Sequence, residues 1–178
     1  MKKKVNKTKI RRVAVTIIFL ACLLVMRGYD PNFQALSNGA ETLDMRFHYS
    51  SIEAYKLFDT IGAHGRLLYI RILLIDFVFI TSFALVQNFI LKPIIGNALL
   101  KTRWRCVLAI SYLRGLSDVI ENISLLIMIN RFPSELPRLV TFSSFFTTLK
   151  FIFLGLWLVS IPILIVVRTM KRKELSHE

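Results

Sequence analysis

The chain has 178 residues, 54% of them hydrophobic, with a mean hydropathy of +0.57 and a formal net charge of +13. One soluble core of this length does not hide that much apolar side chain, so the composition points to a bilayer. The basic residues gather in three patches, each beside the end of an apolar stretch, which argues against a nucleic-acid-binding face and for topology-setting charges in contact with anionic lipid.

Four apolar stretches follow in chain order. The first, Val13 to Met26, is short for a span, which needs about twenty residues; extension to Ile10 and Tyr29 makes it adequate. Its basic start also fits a cleaved signal peptide. The run exits into Val25-Met26-Arg27-Gly28 without a small-x-small site, and Cys22 is followed by further apolar residues, unlike a lipoprotein site, so an uncleaved anchor is preferred. The second stretch covers about 67–91 and ends at Lys92-Pro93; the third covers 104–130; the fourth covers 139–167, with Pro162 expected to kink it or free a carbonyl. The expectation is an all-α integral membrane four-helix bundle, a single domain over 1–178 with spans at about 10–29, 67–91, 104–130 and 139–167.

Orientation follows from the charges. Lys2, Lys3, Lys4, Lys7, Lys9, Arg11 and Arg12 precede the first span. Lys92, Lys101, Arg103 and Arg105 join the second to the third, and Arg168, Lys171, Arg172 and Lys173 follow the fourth. The other side offers fewer, namely Arg27, Arg46, Lys56, Arg66, Arg131 and Arg138. A multi-pass protein of the cell membrane with both termini cytoplasmic results.

Residues 30–66 form the extracytoplasmic loop. From Tyr29 to Gly39 it carries turn chemistry and reads as irregular. Ser50-Ser-Ile-Glu53 matches a capping box, and Ile52, Tyr55, Phe58 with Ile61 or Leu57 make an apolar stripe. A short amphipathic helix at about 51–62 is expected, lying on the outer surface or capping the bundle. Gly62 and Gly65 allow a turn into the second span, where Asp59, His64 and Arg66 are candidates for a headgroup contact.

The apolar stretches hold six ionisable residues of cancelling charge: Arg71 and Asp76 in the second, Arg114, Asp118 and Glu121 in the third, and Lys150 in the fourth. Steps of four and three put the third-span charges on one helix face, flanked by Ser111 and Asn122. Asp76 shares a face with Tyr69 and Gln87, and Lys150 with Ser143 and Thr147. Lipid satisfies none of these groups, so they turn inward, towards a polar cavity expected in the outer half of the bundle, open or nearly open to the outside. Two readings compete. In one the ions are interhelical pairs setting register, Arg114 with Asp118 or Asp76 and Lys150 with Glu121. In the other they bind a lipid headgroup, an amphiphile, an ion or a proton. The second is preferred because buried pairs are a poor source of stability.

Other chemistries find little footing. Cys22 and Cys106 sit on different spans, and His48, His64 and His177 lack ligand spacing, so neither a metal nor another cofactor is expected. No phosphate loop or nucleophile elbow occurs. Binding or moving a headgroup, amphiphile or ion leads. A membrane enzyme of lipid or isoprenoid metabolism with Asp118 or Glu121 as acid or base is the alternative, and pairing with a second copy or another membrane protein is a third. Membrane lipids are the expected partners, and nucleic acid is not.

Overall fold

The computed structural model describes residues 7–100 and 103–174; Lys2, Lys3, Lys4, Lys101 and His177 lie outside the described residues, as do the side chains of Arg103, Arg172 and Lys173. Among the described residues the fold is helical throughout, with five α-helices: α1 Lys7–Leu36, α2 Ser51–Thr60, α3 Gly62–Leu100, α4 Val107–Arg131 and α5 Pro137–Glu174. Short 3-10 turns occupy Leu43–Met45 and Arg103–Cys106. By length and composition, α3 over Gly62–Gly96 and α5 over Pro137–Lys171 are apolar enough to cross a membrane.

Helix α1 runs further than expected. The turn residues 29–36 are helical, and Pro31 sits inside the helix. Phe33 drives this: its ring is buried and meets Tyr69 edge-on at 5.3 Å, which holds the last turns of α1 against α3. The donor that Pro31 lacks would have met the Arg27 carbonyl, and both residues lie on an exposed side of the helix. The turn itself moves to Asn38 and Gly39, both at positive φ.

Helix α3 breaks near its end at Gly96, where φ +64° and ψ 170° suit only glycine. Arg168 of α5 donates to the Pro93 carbonyl at 2.6 Å and reaches Ile94 O at 3.3 Å, satisfying acceptors released at the break. Helix α5 continues through Pro162, which leaves the Leu158 carbonyl without its helical donor.

The long helices alternate in direction. Phe19 of α1 stacks on Phe79 and Phe83 of α3 at 5.3 and 5.2 Å, and Arg12 lies over Phe89. Beyond isolated touches, α1 meets no other long helix, whereas α3, α4 and α5 all pack on one another. The expected four-helix bundle is thus a three-helix core with α1 laid along the outside of α3. Phe33 is the one buried side chain of α1, which has no polar stripe to turn inward.

Helix α2 is a cap over one end of this core. The expected box is present: Ser50 Oγ accepts from Glu53 N at 3.3 Å, and Glu53 Oε2 accepts from Ser50 N at 2.7 Å. The Ser50 hydroxyl, donating to Glu53 Oε2 at 2.7 Å, and then the Ser50 N–H hold the Glu53 carboxyl below its ordinary range. Ala54, Tyr55, Leu57, Phe58 and Ile61 face inward, but Ile52 is 80% exposed. At 100° per residue Ile52 lies about 120° round the helix from Phe58, outside the buried face. Tyr55 Oη accepts from Leu136 N at 2.6 Å, tying the cap to the start of α5, where Pro137 needs no donor. Leu43, Tyr49 and Phe58 join Tyr69, Leu73, Leu125 and Met128 in an apolar layer beneath the cap. A second apolar layer, Leu91, Ile95, Trp157 and Leu164, fills the far end. The ionisable residues lie between the two.

Candidate functional site

Helices α3, α4 and α5 each supply polar side chains to one interior layer. On α4, Arg114, Asp118 and Glu121 follow the expected stripe, and all three are buried with Ser111 and Asn122. Arg114 Nη1 is 2.9 Å from Asp118 Oδ2, one turn along the same helix. Its Nε donates to Gln87 Oε1 of α3 at 3.2 Å, and its guanidinium lies 4.4 Å from the Phe83 ring centroid. Lys150 of α5 bridges two acids, with Nζ 2.9 Å from Asp118 Oδ1 and 2.7 Å from Glu121 Oε2. The Glu121 contact is a charge contact with poor hydrogen-bond geometry, whereas Glu121 Oε1 accepts from Thr147 at 2.6 Å. Both proposed pairings, Arg114–Asp118 and Lys150–Glu121, are therefore present, and Lys150 also joins the two.

Asp76 stands apart from this lattice. It is 5% exposed, and its Oδ2 accepts from Asn122 Nδ2 at 2.6 Å. Among the described residues no basic side chain lies within ion-pair distance of it. Arg114 turns to Asp118 instead.

Arg71, expected in the cluster, is exposed on α3. Five residues separate it from Asp76, about 140° round the helix, so a face that buries Tyr69, Asp76 and Gln87 turns Arg71 outward. The balance of three acids and three bases becomes Asp76, Asp118 and Glu121 against Arg114 and Lys150.

Around the cluster several buried polar atoms have no protein partner: Asn122 Oδ1, Gln87 Nε2, Asn88 Oδ1 and Ser111 Oγ. The antiparallel register that pairs Gln87 with Arg114 and Asp76 with Asn122 sets Asn88 across from Ser111. Such orphans are costly in a dry interior.

Towards the cap, polar contacts continue in a file. Tyr49 donates to Ser143 Oγ at 2.7 Å, and its backbone N–H donates to Ser144 Oγ at 3.0 Å. Ser144 in turn meets the exposed His48 at 2.8 Å. Burial, with the nearby Glu121 carboxylate, pushes the Tyr49 phenol well up, so it stays a donor. Beside it Tyr69 donates to Asp44 Oδ1 at 2.7 Å. These residues close the layer from the cap side, so the expected open outer cavity is a sealed cluster, because Leu43 and Tyr49 plug its mouth.

The loop candidates stay outside. Asp59 and His64 are exposed. Arg66 donates to the Phe58 carbonyl at 2.8 Å and lies over Phe132 at 4.4 Å, acting as a C-terminal cation for α2 rather than as part of a headgroup nest with His64. The partners Asp44, His48 and Tyr49 escape sequence reasoning, since they lie in an irregular segment whose spacing carries no period. Tyr69, Gln87, Ser143 and Thr147 were visible as facemates of the charged residues.

Among the described residues no three His, Cys, Asp or Glu side chains are grouped to hold a metal ion. No protein-family model, curated protein or solved structure matches this chain.

Proposed function

We propose that this chain is a multi-pass protein of the cell membrane, crossing it through α1, α3, α4 and α5 with both termini in the cytoplasm, and that its buried cluster takes up and releases a proton. The membrane part is supported by the apolar lengths of α3 and α5 and by large apolar side chains displayed outward on every long helix, among them Leu24, Leu67, Leu116 and Phe145. Helix α4 turns Arg114, Asp118 and Glu121 inward and leaves Arg131 exposed only in its last turn, as a span among other helices does.

The proton is carried by one observation: Asp76 is buried without a cation beside it. With every group ionised, Asp76, Asp118 and Glu121 face Arg114 and Lys150, and the buried Asp44 adds a fourth negative charge from the cap side. A net charge in low dielectric is far costlier than a paired one. A proton on one carboxyl reduces the imbalance. Asp44 is held by the Tyr69 hydroxyl at the edge of the layer, whereas Asp76 sits among Asp118 and Glu121 with Asn122 as its partner and, among the described residues, no base within ion-pair distance. The cap of Leu43, Tyr49 and Tyr69 favours this smallest of ligands over a headgroup. Between His48 and Glu121 the hydroxyls of Ser144, Tyr49, Ser143 and Thr147 bring polar groups from the cap side to the cluster, with the Tyr49 backbone N–H and the Ser143 carbonyl completing the links between them. Asn88 and Ser111 extend the polar groups towards the other side.

The test is the pH dependence of thermal unfolding in mild detergent. A folded state that holds one proton more than the unfolded chain loses stability as pH rises. The wild type is expected to show that slope through neutral pH, and Asp76→Asn to flatten it. Equal slopes in the two proteins would remove Asp76 from the role.

A further inference from the structure

At the end of the molecule opposite the cap, α1 and α3 flank a half-open surface cavity of about 250 Å³ lined by Lys7, Thr8, Arg11, Arg12, Phe89 and Lys92. We infer that this cavity binds a phosphate group, carried by an anionic phospholipid at the cytoplasmic surface. The inference stands on the cavity itself; only its lipid source rests on the membrane reading above.

Helical spacing builds the basic wall. Lys7 and Arg11 are one turn apart on α1, as are Thr8 and Arg12, so two adjacent rows of donors face α3. Lys92 closes the wall from α3, one turn beyond Phe89. The Arg12 guanidinium lies 5.7 Å from the Phe89 ring centroid, which steadies a planar fork suited to phosphate oxygens.

Nothing acidic lines the cavity. The sequence has no Asp or Glu in 1–29 or in 77–117, so neither helix supplies a carboxylate at this end. Among the described residues Lys7, Arg11, Arg12 and Lys92 gather with no acidic side chain in the lining, and such cations repel one another unless an anion enters. Arg168 is engaged with the Pro93 and Ile94 carbonyls and does not line the cavity. The mixed lining, with Phe89 and the lysine and arginine stems beside the charges, fits a headgroup attached to an acyl chain better than a bare ion.

The full chain, purified in mild detergent, is titrated with phosphatidylglycerol, phosphatidylcholine or inorganic phosphate, and bound ligand is read by native mass spectrometry. The wild type is expected to retain phosphatidylglycerol over phosphatidylcholine. The triple variant Arg11→Gln, Arg12→Gln, Lys92→Gln should lose that preference by roughly fivefold for each charge removed. The variant Arg131→Gln, Arg138→Gln, which removes charges at the opposite end, should keep it. All of these positions are exposed, and unchanged thermal unfolding confirms intact folding. Competition by inorganic phosphate as strong as that by the lipid would assign the site to free phosphate. No preference in the wild type together with no phosphate binding, or equal losses in the two variants, would overturn the inference.

Discussion

Lys150 is the keystone of the buried lattice, and Lys150→Met removes its charge while nearly keeping its volume. Its ammonium meets Asp118 at 2.9 Å and Glu121 at 2.7 Å. At an effective dielectric of about 20, each contact carries roughly 6 kcal/mol of gross attraction. Desolvation of the three ions cancels most of that. What remains after truncation is the cost of leaving acids stranded, about 3–5 kcal/mol for a broken buried pair. Asp118 retains Arg114, so the stranded group is chiefly Glu121, and the lower half of that range is expected. Denaturant titration in mixed micelles measures it. The double variant Lys150→Met, Glu121→Gln should recover more than half of the loss, because the orphaned charge is gone. A loss under about 1 kcal/mol for the single variant, or no recovery in the double, would refute the lattice described above.

Three further outcomes follow from other parts of the fold. Arg71→Gln should change stability by no more than about 0.5 kcal/mol, because the side chain is exposed and outside the cluster; the same titration checks it. Gly65→Ala should lower the unfolding temperature, since a Cβ there would sit 2.5 Å from Ile61 Cβ, and forced repacking costs about 1–3 kcal/mol. Ser50→Ala should cost about 1 kcal/mol through the lost cap. The folded Glu53 carboxyl titrates below its ordinary value of 4.5, so its contribution is present above that pH and fades as pH falls below it. Hydrogen exchange of α2, followed from neutral to acidic pH, should show this loss in the wild type and not in Ser50→Ala.

Much of the helix content could be read from the sequence, because long apolar runs and the Ser50–Glu53 box are local signals. The inward face of α4 was readable for the same reason: a 4-and-3 spacing needs no neighbour to define it. The run through Pro31 was not, since it depends on Phe33 meeting Tyr69, a contact between segments far apart in the chain. Arg71 shows a different limit. Membership of an apolar stretch does not place a charge inside, and only its angle from Asp76 decides, which a face count would have shown. The plug beneath the cap escaped altogether, because Leu43, Asp44 and Tyr49 are placed by bonds to Tyr69, Ser143 and Ser144 and not by any period of their own. The position of α1 outside a three-helix core likewise reflects which helices have polar stripes to bury, a comparison among helices rather than a property of one.

The central claim is that the carboxyl of Asp76 carries the proton that completes the cluster. Infrared difference spectroscopy of the reconstituted protein, taken between acidic and alkaline buffer, reads that carboxyl directly. A carboxylic-acid C=O band that titrates in the wild type and vanishes in Asp76→Asn is the predicted result. The same band surviving in Asp76→Asn and vanishing instead in Glu121→Gln would contradict it.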